Sequence, residues 1–471
     1  MNVKKGDLLE VTIESAAFKG KGLAKENGLA IFIPNTAPGD TVKTRIIKKK
    51  KNYCEGKLVE ITDPSPHRIT PRCRHALVCG GCTWQYLSYE DQLKIKEQQV
   101  RDHIERIAGL SPDLVRPIIG CNRHFYYRNK MEYSFGTRRW LTEEEIKSDE
   151  FIDDSGFAAG LHAPGRFDKI LDLKECHLQD KISFEILDFV RSWCIRNGVH
   201  AFDTIKNEGF MRHLVIRNSY YTDDLMVNLV TYKDDPELIQ RLSNELKGNF
   251  GEITTIVNNI NDQPNPTATG RIEHTIFGPG YITDKIGKHT FRIDANAFFQ
   301  TNTKQAEVLY ETARRFAELS EDELLFDLYC GVGTLTLFLA HECRQAVGIE
   351  LSDTAVKNAR LNAEQNKVPN TSFITGDMKD TFNASILEKH GKPDCIITDP
   401  PRAGMHPDVV TRLKELAVSK LVYVSCNPST MSRDLKELNE VYTIEKVQPV
   451  DMFPQTYHIE AVARLTTGNA K

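Results

Sequence analysis

The chain has 471 residues, of which 40% are hydrophobic and 27% charged, with a net charge of −4. That length accommodates two to four cores, and no stretch approaches the roughly 20 apolar residues that span a bilayer. The start, Met1-Asn2-Val3-Lys4-Lys5, has no apolar core behind its lysines, so no secretory signal is expected. A cytoplasmic location is expected, with a reducing environment for the 11 cysteines. The small net charge hides an uneven distribution, because residues 1–140 carry 25 Lys+Arg against 15 Asp+Glu. A basic front on an acidic back implies a polyanion held at one end, the plainer alternative being scattered solvated charge.

Residues 1–62 read as a small all-β module. Leu8–Ile13, Ala30–Pro34, Thr41–Ile47 and Lys57–Ile61 are strand-like runs, punctuated by Gly20-Lys21-Gly22, Asn27-Gly28 and Pro38-Gly39-Asp40. About five strands in this length suit an OB-like barrel, a surface that commonly carries single-stranded nucleic acid. Lys48 to Lys51, with Tyr53 just behind, is its densest basic stretch. Asp63-Pro64-Ser65-Pro66 then reads as a linker.

Residues 63–285 read as a mixed α/β domain. Near its start stands Cys73-x5-Cys79-x2-Cys82, with Gly80-Gly81 between the last two cysteines. In a reducing compartment such a cluster points to metal rather than disulfides. Its spacing does not separate a zinc site from a [4Fe–4S] cluster, since both accept four thiolates. Tyr89 to Ile107 has helical spacing, and Met226–Val230 and Thr255–Val257 look like strands.

From residue 286 onward, short apolar runs alternate with helix-compatible segments: Leu324–Leu328, Ala346–Ile349, Phe373–Thr375, Cys395–Thr398 and Leu421–Val424. This is the pattern of a parallel sheet covered on both faces, and Tyr442–Val447 and Ile459–Leu465 add two further strands. The first strand runs into Asp327-Leu328-Tyr329-Cys330-Gly331-Val332-Gly333-Thr334, where Gly331 and Gly333 expose bare backbone to a ligand, unless the turn is merely tight. The second strand leads to Glu350, placed for a ribose diol, and the third to Gly376-Asp377, placed beside an adenine. Glycine turn, acid and acid on successive strand ends fit S-adenosylmethionine better than NAD. After the fourth strand, Asp399-Pro400-Pro401-Arg402 forms a stiff loop. After the fifth, Ser425-Cys426-Asn427-Pro428 presents a cysteine on a fixed platform. Taken alone, Cys426 reads as a small buried hydrophobe.

Together these segments resemble the RNA (uracil-5-)methyltransferase family. The resemblance is carried by Phe298-Phe299-Gln300-Thr301-Asn302, Asp327 to Gly333, Asp399 to Arg402, Ser425 to Pro428 and His458-Ile459-Glu460. It extends over nearly the whole chain, residues 1–62 being similar to a TRAM domain. It implies a multidomain α/β protein: a TRAM-like barrel (1–62), a central α/β domain with the cysteine cluster (63–285), and a Rossmann-like class I S-adenosylmethionine-dependent catalytic domain (286–471). It implies Cys426 as nucleophile and Glu460 as base. Gln300, Tyr329, Gly331, Gly333, Thr334, Glu350, Asp377 and Asp399 fall at donor-binding positions, and Phe298 and Arg402 at the target base. Some members carry Asn where this chain has Thr334.

The residue types suit the chemistry. Carbon 5 of uracil is a poor nucleophile, and a thiolate adding at carbon 6 makes it an enolate carbon that accepts a methyl group. A base must then remove the carbon-5 proton. The uridine must leave its stack, which favours targets in loops.

The resemblance also implies a [4Fe–4S] cluster on Cys73, Cys79, Cys82 and a distant Cys176, with Cys121 and Cys194 as other candidates for the fourth place. Members with both a TRAM-like domain and this cluster resemble bacterial 23S rRNA enzymes, the uracil-1939 enzyme first. A uracil-747 or dual-site enzyme, or a tRNA uracil-54 enzyme, is the alternative. No membrane or obligate protein partner is implied. An amino-directed methyltransferase would not need Cys426, and a non-catalytic ribosome-assembly factor would need neither Cys426 nor Glu460.

Overall fold

The computed structural model describes residues 3–17, 19–148, 152, 154–166 and 168–467. Its first sheet has six strands in the order Leu8–Thr12, Thr41–Lys49, Tyr53–Asp63, Leu29–Ile33, Gly22–Glu26 and Ser15–Ala16. The sheet rolls on itself, because just beyond the first strand the Glu14 N–H donates to the Leu23 carbonyl at 2.8 Å. Val11, Ile13, Ala24, Ile31, Ile33, Val42 and Ile46 fill the interior, with polar residues alternating outward. The barrel is joined firmly to the segment beyond it. Asp40, buried, accepts from Arg68 Nε and Nη2 at 2.8 and 2.7 Å and from the Ser65 N–H at 2.9 Å. Trp84 packs against Ala37 and donates from Nε1 to the Gly20 carbonyl.

The central sheet has seven strands in the order Ile272–Phe277, Thr255–Ile260, Leu225–Thr231, Met211–Asn218, Lys130–Arg138, Ser155–His162 and Ile170–Asp172. Neighbours are antiparallel except for Leu225–Thr231 with Thr255–Ile260. Helices Lys181–Arg196 and Pro236–Asn249 pack on it through Ile186, Val190, Trp193, Leu242 and Leu246.

The C-terminal sheet carries the motifs. Its strands are β1 (Leu324–Leu328), β2 (Gln345–Glu350), β3 (Thr371–Thr375), β4 (Cys395–Thr398), β5 (Lys420–Ser425), β6 (Tyr442–Val450) and β7 (Glu460–Thr467). They lie in the order β3-β2-β1-β4-β5-β7-β6, and only β7 runs against the rest. Alternate strand residues enter two separate cores: Leu325, Ile397 and Val422 on one side, Phe326, Ile396 and Leu421 on the other. Burial on both faces is why these strands are continuously apolar. Hairpin Tyr281–Ile286/His289–Asp294 spans the junction expected at 285–286 and sends Ile282, Ile286 and Phe291 into the first of those cores.

Residues 89–121 pack with this sheet rather than with the central one. Helix Tyr89–His103 places Val100 in the second core, and Val115 and Ile119 form parallel bridges to Val447 and Val450 beyond the edge strand β6. Lys96 and Asp451, both 0% exposed, form an ion pair of 2.7 Å between helix and sheet. Among the described residues, no helix is long and apolar enough to cross a membrane.

Candidate active site

The sequence motifs converge at the carboxyl ends of the parallel strands, around the point between β1 and β4 where strand order reverses. Ligands of open α/β sheets bind there, because helices on opposite faces leave a crevice. After β1 the chain turns with φ of 69° at Tyr329, 55° at Gly331 and 79° at Gly333. Gly331 borders open space, whereas a Cβ on Gly333 would lie 3.0 Å from Phe373. Glu350, ending β2, accepts the Gly331 N–H at 3.2 Å and the Ser352 N–H at 2.8 Å. Asp377 accepts the Lys379 N–H at 3.1 Å beyond β3. The Thr334 hydroxyl hydrogen-bonds the Tyr310 hydroxyl at 2.9 Å, and Gln300 adjoins the same tyrosine.

Strand pairing brings the distant cysteine and glutamate together. Ser425 of β5 stands opposite Ala461 of β7, so one further step of that register sets Cys426 against Glu460. Asn427 then caps helix Pro428–Leu438, with Pro428 at its first position. The Asn427 amide donates to the Arg402 carbonyl at 2.9 Å, tying the cysteine turn to the Asp-Pro-Pro-Arg loop. Asp399 follows β4, its N–H donating to the Leu328 carbonyl at 3.3 Å. Phe298 is 69% exposed, its ring presented to solvent.

The electrostatics are those of a crowded, buried acidic site. Burial, with Glu460 and Asp399 close by, pushes the Cys426 thiol up to about 12, and Arg402 opposes that rise. Burial and Asp399 hold Glu460 well above the ordinary carboxyl range, while Arg402 again opposes. Burial lifts Asp399 to about 7. His458 is driven down to about 4 by burial and by Arg402, Arg128 and Lys96.

The tRNA (Uracil-5-)-methyltransferase family profile matches residues 279–467, and the TRAM domain profile matches residues 2–59. An uncharacterized RNA methyltransferase of Chlorobaculum tepidum is 42% identical over 98% of this chain and 96% of its own. One of Bacteroides thetaiotaomicron is 41% identical over 95% of this chain and 99% of its own. The chain belongs to the RNA (uracil-5-)methyltransferase family. A crystal structure of the tRNA (uracil-54, C5)-methyltransferase of Pyrococcus abyssi, in complex with S-adenosyl-L-homocysteine, superposes with a TM-score of 0.76. It covers 97% of this chain and 99% of that one at 29% identity. The architecture is accordingly a TRAM barrel, a mixed α/β middle and a class I methyltransferase sheet.

Three further residues border the candidate site without having been singled out from the sequence: Asp327, Asn129 and Tyr310. Asp327 is buried, raised to about 7 by burial with Asp399 and Glu350 near it, and accepts the Thr336 hydroxyl. It opens the glycine-turn motif, and a carboxylate within an apolar strand is the signal for it. Asn129 donates from Nδ2 to the Gln300 carbonyl and to Thr303 Oγ1, both at 2.8 Å. Tyr310 and Asn129 have no local signal.

Cys73, Cys79, Cys82 and Cys176 line one small enclosed cavity with Gln85, Glu175 and His177. The His75 N–H donates to Cys73 Sγ at 3.4 Å and the Gly81 N–H to Cys79 Sγ at 3.3 Å. The Leu178 and Gln179 N–H groups face Cys176. Burial pushes Cys79 up to about 11 and Cys73 and Cys82 up to about 12. Cys121 lies elsewhere, against Asn302, and Cys194 sits in the core of the central domain. Among the described residues, no three His, Cys, Asp or Glu side chains are grouped as a metal ion requires.

Proposed function

We propose that this enzyme methylates carbon 5 of one uridine in 23S rRNA, with S-adenosyl-L-methionine as donor, Cys426 as nucleophile and Glu460 as base. The reading is carried by the strand register that ends with Ser425 opposite Ala461 and leaves Glu460 close enough to Cys426 to act on its thiol. The residues present suit a donor that is cationic at sulfur and carries a ribose diol. The cleft collects carboxyl groups at Asp327, Glu350, Asp377 and Asp399, and the turn is bare backbone at Gly331. Gln300, Tyr329, Thr334, Glu350, Asp377 and Asp399 would hold that donor, which supplies the methyl group when bound.

The protein's own residues carry the remaining steps. Cys426, as thiolate, bonds carbon 6 of the uracil, and the displaced electron pair makes an enolate across carbons 4 and 5. Once carbon 5 is methylated, Glu460 takes its proton, the double bond re-forms and the carbon–sulfur bond breaks. Arg402 sits beside both groups and favours their ionised forms. Phe298, which is exposed, would receive the unstacked base.

In the same reading, Cys73, Cys79, Cys82 and Cys176 would hold a [4Fe–4S] cluster. The shared cavity and the backbone N–H groups aimed at three of the sulfurs suit thiolates that carry charge. Iron analysis and visible absorbance after anaerobic purification test it. A full-occupancy zinc content with no iron overturns it.

A second reading, a tRNA substrate, is favoured by the full-length similarity to the Pyrococcus abyssi enzyme. Tritium release from 5-tritiated uridine in 23S rRNA fragments and in tRNA decides between them. Release from rRNA alone, abolished in Cys426→Ala, is expected. Release from tRNA alone keeps the chemistry and overturns the substrate. Glu460→Gln is expected to accumulate a denaturant-stable protein–RNA adduct that Cys426→Ala never forms.

A further inference from the structure

A strip of cations resting on aromatic rings crosses the central domain outside the methyl-transfer cleft. The Arg72 guanidinium lies 5.2 Å from the Phe125 ring and 5.0 Å from that of Tyr126. Tyr126 has a left-handed backbone, φ 54°, uncommon for an aromatic residue, and its hydroxyl hydrogen-bonds His177 Nδ1 at 2.8 Å. Further along, Arg123 lies 5.6 Å from the Tyr220 ring. Lys304 lies 5.9 Å from Tyr220 and 4.9 Å from Tyr221. Both tyrosines are 37% exposed.

Among the described residues no ion pair engages Arg72 or Arg123, whereas the neighbouring Arg74 and Lys304 sit on Glu175 and Glu307. The acidic groups nearby are occupied or offset: Glu175 faces Arg74 and His177, Glu307 holds Lys304 and the Tyr221 hydroxyl, and Asp180 lies near Arg123. Guanidinium groups lying on rings keep their charge for a phosphate, and a partly exposed ring keeps a face for a base. The strip also connects to the cleft. Asp284 accepts the Tyr220 and Tyr221 N–H groups at 3.1 and 3.0 Å, and the Thr303 hydroxyl at 2.7 Å. Thr303 opens the helix just after Gln300.

We propose that this strip binds the single-stranded nucleotides flanking the target uridine, with phosphates at Arg72 and Arg123 and unpaired bases stacked on Tyr126 and Tyr220. The inference rests on reading the substrate as an RNA loop. Fluorescence anisotropy tests it on the full-length enzyme, using a labelled single-stranded RNA of about 12 nucleotides and its duplex form, without donor. The single strand is expected to bind more tightly than the duplex. Tyr220→Ala is expected to weaken single-strand binding about 10-fold, with Tyr220→Phe unchanged. Arg72→Gln and Arg123→Gln should each lower the salt slope by about 0.7. Parent-like affinity in Tyr220→Ala, or an unchanged slope in both arginine variants, overturns the proposal. Thermal unfolding confirms that each variant is folded. Tritium release then separates this proposal from the proposed chemistry: strip variants should raise KM and keep kcat. A parent enzyme that releases no tritium while its binding depends on Tyr220 refutes the methylation reading and leaves the strip standing.

Discussion

Burial pushes the Cys426 thiol up to about 12, the opposite of what a poised nucleophile requires, and holds Glu460 above the ordinary carboxyl range, the direction in which a carboxylate becomes a stronger base. The thiol therefore depends on what binds beside it, and Arg402 is a protein cation that acts on both groups. Alkylation by iodoacetamide reads this directly, since only the thiolate reacts. Cys426 is expected to react slowly at pH 7 compared with an ordinary free thiol, and about tenfold faster for each pH unit up to 9. A rate that levels off below pH 8 contradicts the raised value. Asp399 gives a stability prediction with a defined sign. Folded, it titrates near 7, against about 3.9 unfolded. The folded state thus keeps a proton that the unfolded state releases between those values, and stability falls as pH rises from about 4 to about 7. Asp399→Asn removes that loss. Urea denaturation should find it close to the parent at pH 4.5 and more stable by roughly 2–4 kcal/mol at pH 8. A variant that tracks the parent at both pH values contradicts the buried acid.

A buried charge pair lies at the centre of the joint between helix Tyr89–His103 and the segment after β6. Asp451 accepts from Lys96 Nζ at 2.7 Å, the Tyr89 hydroxyl at 2.8 Å and the Phe453 N–H at 3.0 Å. Removing one partner strands the other, so Lys96→Met should cost about 3–5 kcal/mol of stability in chemical denaturation. The double variant Lys96→Met/Asp451→Leu should recover a substantial part, and an equal loss in both would contradict a stranded charge. Elements of this kind mark the limit of what the sequence discloses. The inner C-terminal strands β1, β2, β4 and β5 were legible because each holds a continuous apolar run, and Cys426 and Asp399 because each sits in a short motif after such a run. In the central sheet Leu225–Thr231 and Thr255–Ile260 were legible as apolar runs, but Lys130–Arg138 and Met211–Asn218 were not, because charged residues interrupt them. Nor was the attachment of Val115 and Ile119 to β6, which no local pattern announces. Asp451 reads as an ordinary surface acid until Lys96, 355 residues earlier, is seen beside it.

At the scale of the whole molecule, the barrel, the cysteine segment and the catalytic sheet share their joints. Arg68 is bound to Asp40 of the barrel, Trp84 to Gly20, and the Thr83 and Trp84 N–H groups to the Gln455 carbonyl at 2.9 and 3.1 Å. Truncation of residues 1–62 is therefore expected to expose Trp84, shifting its fluorescence to the red and lowering the unfolding midpoint. An unchanged spectrum would mean that the barrel is merely appended. The stitching of residues 83–96 to residues 451–457 has a consequence in time. A ribosome adding roughly 5–20 residues per second delivers Lys96 well before Asp451 exists. For that interval the lysine must stay hydrated and its helix undocked, while β5 lacks its neighbour β7. Glu460 takes its place beside Cys426 only once β7 has been made, so no nascent fragment lacking that strand holds both groups.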